Sequence, residues 1–228
     1  MKKLFLLATM MVAAISASAQ ARFAPETITL QPRIGGTGSI FTNAPDVISH
    51  GQTIEPTAAG GGFLGLDVEY YLSTRLSLAA GVNKSGAGTG WKSHNWVSSG
   101  INMETKEMEL RTSYINVPMT INWYVLKGFA LKAGVQLGFL TNADEYSRTT
   151  YSQDGVDYTI LSESDAKDSF NKFDFSIPVG ISYEFKCPLV IDLRYNIGMT
   201  KVNKNNMLDG KDYRNLQAVL TLGYKFEL

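Results

Sequence analysis

Residues 129–140, Phe-Ala-Leu-Lys-Ala-Gly-Val-Gln-Leu-Gly-Phe-Leu, set Phe129, Leu131, Ala133, Val135, Leu137 and Phe139 at alternate positions. A period of two places those side chains on one face of a β-strand. Lys132 and Gln136 fall on the opposite face, with alanine and glycine between them. A strand that is oily on one face and carries a charge at mid-span on the other fits the wall of a membrane-spanning barrel, apolar outside and polar inside.

The same alternation recurs along the chain and predicts an all-β fold, an eight-stranded antiparallel up-and-down transmembrane barrel. Strand 1 is expected at about 26–36, where Pro32 removes a ladder donor. Strand 2 is expected at about 62–72, and strand 3 begins at Leu76 and carries Leu78, Ala80 and Val82. Strand 4 is expected at about 110–125 and strand 5 at 129–140. Strand 6 spans about 171–185, strand 7 starts at Leu189, and strand 8 closes the chain from about Leu216 to Leu228. Each reaches the length needed to cross a bilayer at a tilt. The links alternate in length: about 37–61, 84–109, 141–170 and 200–213 are long, and the three between them are short. All long links therefore fall at one end, and the short turns join both termini at the other, the pattern of short periplasmic turns and long extracellular loops. Pro118 and Pro178 face inward by parity and predict bulges, since a proline in a closed sheet lacks one donor.

A soluble barrel with the same apolar face turned inward is the competing fold. Against it, that face is too broad and aromatic to fill a narrow lumen. Aromatics also gather at strand ends: Tyr70, Trp123, Phe129, Tyr183, Phe185, Tyr224 and Phe226 near the short turns, with Phe139 and Phe173 near the long links. Two such girdles mark membrane interfaces. The inward face then holds Asp67, Glu69, Asp174, Glu184, Asp192 and Glu227 together with Arg33, Lys132, Arg194 and Lys225. Buried charges persist when paired, so the expected lumen is a polar plug.

The first nineteen residues are expected to be an export signal. Lys2 and Lys3 precede an apolar run from Leu4 to Ile15, too short to span as a helix, and Ala17-Ser18-Ala19 fits a cleavage site. The barrel domain then covers residues 20–228. Removing the two lysines leaves 19 of the 21 basic residues against 21 acidic ones, a balance that does not favour nucleic acid. Cys187 is the sole cysteine, so no internal disulfide forms.

Tyr114-Ile-Asn-Val-Pro-Met-Thr-Ile121 resembles a strand of the PorT-like outer-membrane β-barrel family of Gram-negative bacteria. Gly65-Leu-Asp-Val-Glu-Tyr-Tyr-Leu-Ser73, Leu193-Arg-Tyr-Asn-Ile-Gly198 and Leu222-Gly-Tyr-Lys-Phe226 are similar to others. The resemblance implies an eight-stranded outer-membrane barrel, with a best-known member in protein secretion and no catalytic residues. Barrels of the family commonly end in an aromatic; here Phe226 lies two residues short of Leu228.

Activity is expected on the long links. Asp154-Gly155 is a hairpin-turn signal, predicting that strands 5 and 6 continue beyond the membrane as a projecting hairpin. Its exposed edge would accept a partner's strand. The acidic residues there (Asp144, Glu145, Asp154, Asp157, Glu163, Asp165 and Asp168) fit no calcium-loop spacing. Trp91 and Trp96 flank His94 in the second long link and are expected to contact a sugar, a peptide or the membrane surface. His50 and His94 are the only histidines, and neither a nucleophile-elbow nor a zinc-protease motif occurs. The expectation is a non-enzymatic interaction, assembly or secretion-accessory factor without cofactor, metal or catalytic site. Its partners would be outer-membrane lipid, the barrel-assembly machinery and an extracellular or envelope protein. A small-solute channel is the alternative.

Overall fold

The computed structural model describes residues 23–44, 46–49, 52–98, 101–153, 156–204 and 212–228. The expected export signal, His50 and the Asp154-Gly155 turn signal lie outside the described residues. Eight long strands form the wall: β1 (Ile28–Thr42), β2 (Pro56–Tyr71), β3 (Leu76–Trp91), β4 (Ile101–Leu126), β5 (Phe129–Gln153), β6 (Phe173–Glu184), β7 (Leu189–Gly198) and β8 (Arg214–Tyr224). Every neighbour pair is antiparallel, and β8 pairs with β1 to close the ring.

The register defines the cylinder. Passing from Ile28 through the directly opposed residues Tyr70, Leu78, Ile121, Ala133, Val179, Tyr195 and Ala218 returns to β1 at Gly38, ten residues beyond the start. An eight-stranded barrel with that stagger has strands tilted by about 40°, so each residue climbs about 2.5 Å along the axis. The lumen is then just wide enough for side chains to fill it.

Alternation places the side chains as the pattern requires. Ile34, Leu64, Val82, Ile121, Leu193 and Leu220 are exposed on the outer wall, while Arg33, Asp67, Lys132, Asp192 and Arg194 are buried within. The outer aromatics pair along their strands, with Tyr183 and Phe185 edge-on at 5.0 Å and Tyr224 and Phe226 at 4.7 Å. Phe139 and Phe173 meet at 5.9 Å near the other end. Gly128 makes the β4–β5 turn with φ of 76° and accepts a hydrogen bond from Glu184 N. A Cβ there would also lie 2.4 Å from the Glu184 carbonyl oxygen.

Three details differ from expectation. First, β1 to β5 run well past the predicted ends, so the links 37–61, 84–109 and 141–170 are partly strand. Above the apolar belt neither face needs to be oily, and the period-two signal disappears although the ladder continues. Second, Pro118 and Pro178 do point inward but produce no bulge. The β3–β4 register is the same at Ala80–Met119 and Asn83–Asn116, and the β5–β6 register is the same at Gln136–Ser176 and Ala133–Val179. Each proline falls in the gap, opposite Gly81 and Gly134 respectively, and its missing donor costs a local bond instead of a shift. Pro32 behaves likewise: β1 pairing toward the C-terminal strand lapses between Leu30–Phe226 and Arg33–Gly223. Third, β5 does continue into a hairpin with a return strand, Val156–Asp165, but a 3₁₀ turn at Lys167–Ser169 separates that strand from β6.

The ladder is irregular elsewhere too: β4–β5 pairing shifts register at Thr105/Glu107, Ser113/Tyr114 and Tyr124/Leu126. Between β2 and β3, pairing stops at Ala58–Thr89 and resumes at Phe63–Ser85, a register shift across a glycine-rich patch.

Candidate functional site

The lumen is filled in layers. Nearest the short turns, Lys225 Nζ lies 2.6 Å from Glu69 Oε2 and also pairs with Glu184. It donates to the Tyr71 hydroxyl at 2.7 Å, and the Tyr124 hydroxyl sits 2.6 Å from Glu184 Oε1. Asn122 donates to Glu69 at 2.8 Å, and Ser77 Oγ also donates to that carboxylate.

The middle layer is a chain of alternating charges. Arg33 reaches Asp67 Oδ2 at 2.6 Å and Asp192 Oδ1 at 2.7 Å, with Thr221 Oγ1 accepting at 2.8 Å. Lys132 Nζ pairs with Asp192 Oδ2 at 2.6 Å, and Arg194 pairs with both aspartates at 3.0 Å. These two layers hold four cations (Arg33, Lys132, Arg194, Lys225) against four carboxylates (Asp67, Glu69, Glu184, Asp192), all buried. Wall glycines make room for them. A Cβ on Gly81 would lie 2.1 Å from Asp67 Oδ1, and one on Gly223 would lie 2.4 Å from Gln31 Nε2. We expect Gly81→Val to displace the Asp67 carboxylate and cost about 1–3 kcal/mol, measured by urea unfolding in micelles.

Neutral polar side chains form the next layer. Asn116 donates to Asn83 at 2.9 Å, Asn196 to Gln217 at 2.9 Å, and Gln217 to the Gly86 carbonyl at 2.7 Å. Asp174 belongs here, apart from the ion pairs, accepting from Thr200 at 2.7 Å and Asn215 at 2.9 Å. The remaining cavity among these groups is about 10 Å³, room for about one water. Above it the mouth is capped by apolar side chains, including Phe41, Trp91, Leu110, Leu140, Phe170 and Tyr213.

Past the mouth, β4 and β5 continue as a two-stranded ribbon. His94–Ser98 pairs with β4 and Val156–Asp165 with β5, widening the ribbon to four strands. Trp96, Met103, Tyr151 and Tyr158 are directly opposed in one row across it, and the last two rings stack at 5.1 Å. The opposite face holds a polar cleft of about 880 Å³ bordered by Glu104, Arg148, Thr150 and Asp157. All ten residues of Val156–Asp165 are exposed, and the strand ends the sheet order, leaving one edge open. Nearby, Lys92 donates to Glu55 and holds that carboxyl below its ordinary range. Both partners are exposed, so the pair contributes little stability.

Nine of the ten predicted lumen residues are buried in these layers. Glu227 is not. It has the right parity but lies in the short strand Phe226–Glu227 beyond the rim, where it is exposed. Trp91 also departs from expectation: β3 extends to include it, and it packs into the apolar cap instead of standing on a loop. Trp96 is half-buried, with Nε1 donating to Thr105 at 3.2 Å. Tyr124, Thr221, Asn122 and Ser77 also belong to the network. Strand parity could have found Thr221, which shares a face with Lys225, and Asn122 and Tyr124, which share the polar face of β4 with Asn116 and Thr120; Ser77 alternates with Leu76 and Leu78 on β3. Among the described residues, no group of three or more His, Cys, Asp or Glu side chains is placed to hold a metal ion.

A family model described as the outer membrane protein beta-barrel domain matches residues 18–204. The chain belongs to that family and is an outer-membrane β-barrel. Among solved structures, it is similar to Ail, the attachment invasion locus protein of Yersinia pestis, at 17% identity over 88% of this chain and 99% of that one, with a TM-score of 0.40. It is similar to Neisserial surface protein A at 13% identity, over 87% and 97% of the two chains and a TM-score of 0.41. For OprG from Pseudomonas aeruginosa the values are 12% identity, 90% and 99%, and 0.39. No curated protein sequence matches the chain.

Proposed function

We propose that this barrel is a closed membrane anchor that works through its projecting sheet, as a non-enzymatic interaction, assembly or secretion-accessory factor. The observation that carries this reading is the filled lumen: among the described residues, charge layers, amide layer and apolar cap leave no continuous path for a solute. On this reading residues 1–19 are removed as an export signal, and the short turns and both termini face the periplasm. The barrel-assembly machinery inserts the domain. The four-stranded sheet then stands outside the membrane, and the open edge of Val156–Asp165 receives an extended segment of an extracellular or envelope protein by strand addition. The resemblance to the PorT-like family supports a role in secretion.

Planar-bilayer recording tests the anchor against the channel reading. We expect no steps above leak, and stable, ion-selective conductance would overturn the proposal. A photo-crosslinking residue at Leu161 tests the sheet. It should trap a discrete protein in intact cells, whereas the same residue at Leu193 on the lipid-facing wall should not.

A further inference from the structure

Lys84 lies on the outer wall of β3, exposed, with buried Asn83 and Ser85 on either side of it in sequence. Its directly opposed neighbours are Leu64 on β2 and Ile115 on β4, both exposed apolar side chains. With the strand tilt included, it stands about 20 Å above the short-turn rim. That height is level with Leu137, Ile177 and Ile197 elsewhere on the wall, inside an apolar band about 25 Å tall. Among the described residues it is the only charged side chain facing outward within that band, and it has no ion-pair or hydrogen-bond partner.

Above Lys84 the wall is bare. Gly60, Gly62 and Gly86 take outward positions where other strands carry phenylalanine or isoleucine, and the interrupted β2–β3 ladder lies behind them. A Cβ on Gly38, Gly60 or Gly62 would meet no atom within 4 Å, so protein packing does not require glycine there. The result is a groove of about 520 Å³ that runs from Leu64 and Lys84 up to Arg111. Arg111 is already engaged, paired with Glu109 at 2.6 Å and stacked over Tyr146 at 4.0 Å. Lys84 is not.

We propose that this notch seats one lipid bearing an anionic phosphate from the leaflet at the long-link end, with the phosphate in the glycine groove on the upward-reaching Lys84 ammonium and an acyl chain descending the apolar wall below it. An unpaired ammonium at this depth is costly, and lysine is a point-charge phosphate binder that reaches toward the headgroup layer. A second copy of this chain would not serve. Among the described residues no acidic side chain faces outward in the band, so a copy's wall offers no counter-charge.

The test uses the barrel refolded in phosphatidylcholine nanodiscs doped with lipid A, followed by native mass spectrometry of the released protein. The wild type should retain one lipid A, and Lys84→Gln should weaken retention roughly fivefold. Gly62→Leu, which fills the groove but leaves the charge, should also weaken it. Wild-type protein should not retain lipid A stripped of its phosphates. Equal retention by wild type and Lys84→Gln would overturn the proposal, as would equal retention of the phosphorylated and dephosphorylated lipids. Lys84-dependent dimers without lipid would also overturn it. A nanodisc offers the same lipid to both ends of the barrel, so the outcome is independent of the partner-docking reading.

Discussion

Asp192→Ala should be the most damaging single change in the lumen, costing about 3–5 kcal/mol of unfolding free energy. Its two carboxylate oxygens bridge Arg33 at 2.7 Å, Lys132 at 2.6 Å and Arg194 at 3.0 Å, and its side chain is fully buried. Removing it leaves three buried cations facing Asp67 alone in that layer, and the uncompensated charge is expensive because water cannot reach it. Urea unfolding followed by tryptophan fluorescence in micelles measures the loss. Asp192→Asn should lose nearly as much, since the volume is kept but the charge is not. Adding Lys132→Met to Asp192→Ala should restore part of the stability, because one orphaned cation is removed with its partner; the cycle reads that coupling directly. Strict additivity would show that the two groups do not act as a pair.

Leu193→Arg is expected to cost about 2–4 kcal/mol, the penalty for a cation facing hydrocarbon near the midplane. Leu193 is exposed on the outer wall between Ile181 and Leu220. Gln136→Arg is the inward comparison. Gln136 is buried beside Ser176 and borders the small residual cavity, so the longer side chain must overpack a full lumen at about 1–3 kcal/mol. The same unfolding titration ranks the two. If Gln136→Arg were the more harmful, the facing of the strands would be inverted. The filled lumen narrows the gap: an open polar channel would have accepted the arginine at almost no cost.

Strand parity made much of the site legible. Arg33, Asp67, Glu69, Lys132, Glu184, Asp192, Arg194 and Lys225 were placed inside by alternation, because a one-residue shift would send every charge into lipid. Parity does not say where a strand stops being enclosed, which is why Glu227 was expected in the lumen although it lies exposed beyond the rim. Nor does it say where a strand ends once both faces meet water or other protein. Residues 84–91 alternate small and polar side chains without an oily face, so their continuation as β3, and the burial of Trp91 at its end, had no period-two signal. The prolines misled for a related reason: a missing donor predicts a local defect, and whether the ladder bulges or skips depends on the strand opposite.

Sequence alone determined the all-β class, the eight crossings, the ends at which links are long or short, and which side chains face lipid or lumen. Those properties follow from a two-residue period and a hydrocarbon solvent in which an exposed charge is costly. The tertiary structure decided the ten-residue stagger, and through it which acid meets which base. It also decided the sealing of the mouth, the four-stranded sheet beyond it and the notch beside Lys84. Each of these depends on distances between strands far apart in the chain, and no local pattern carries that information.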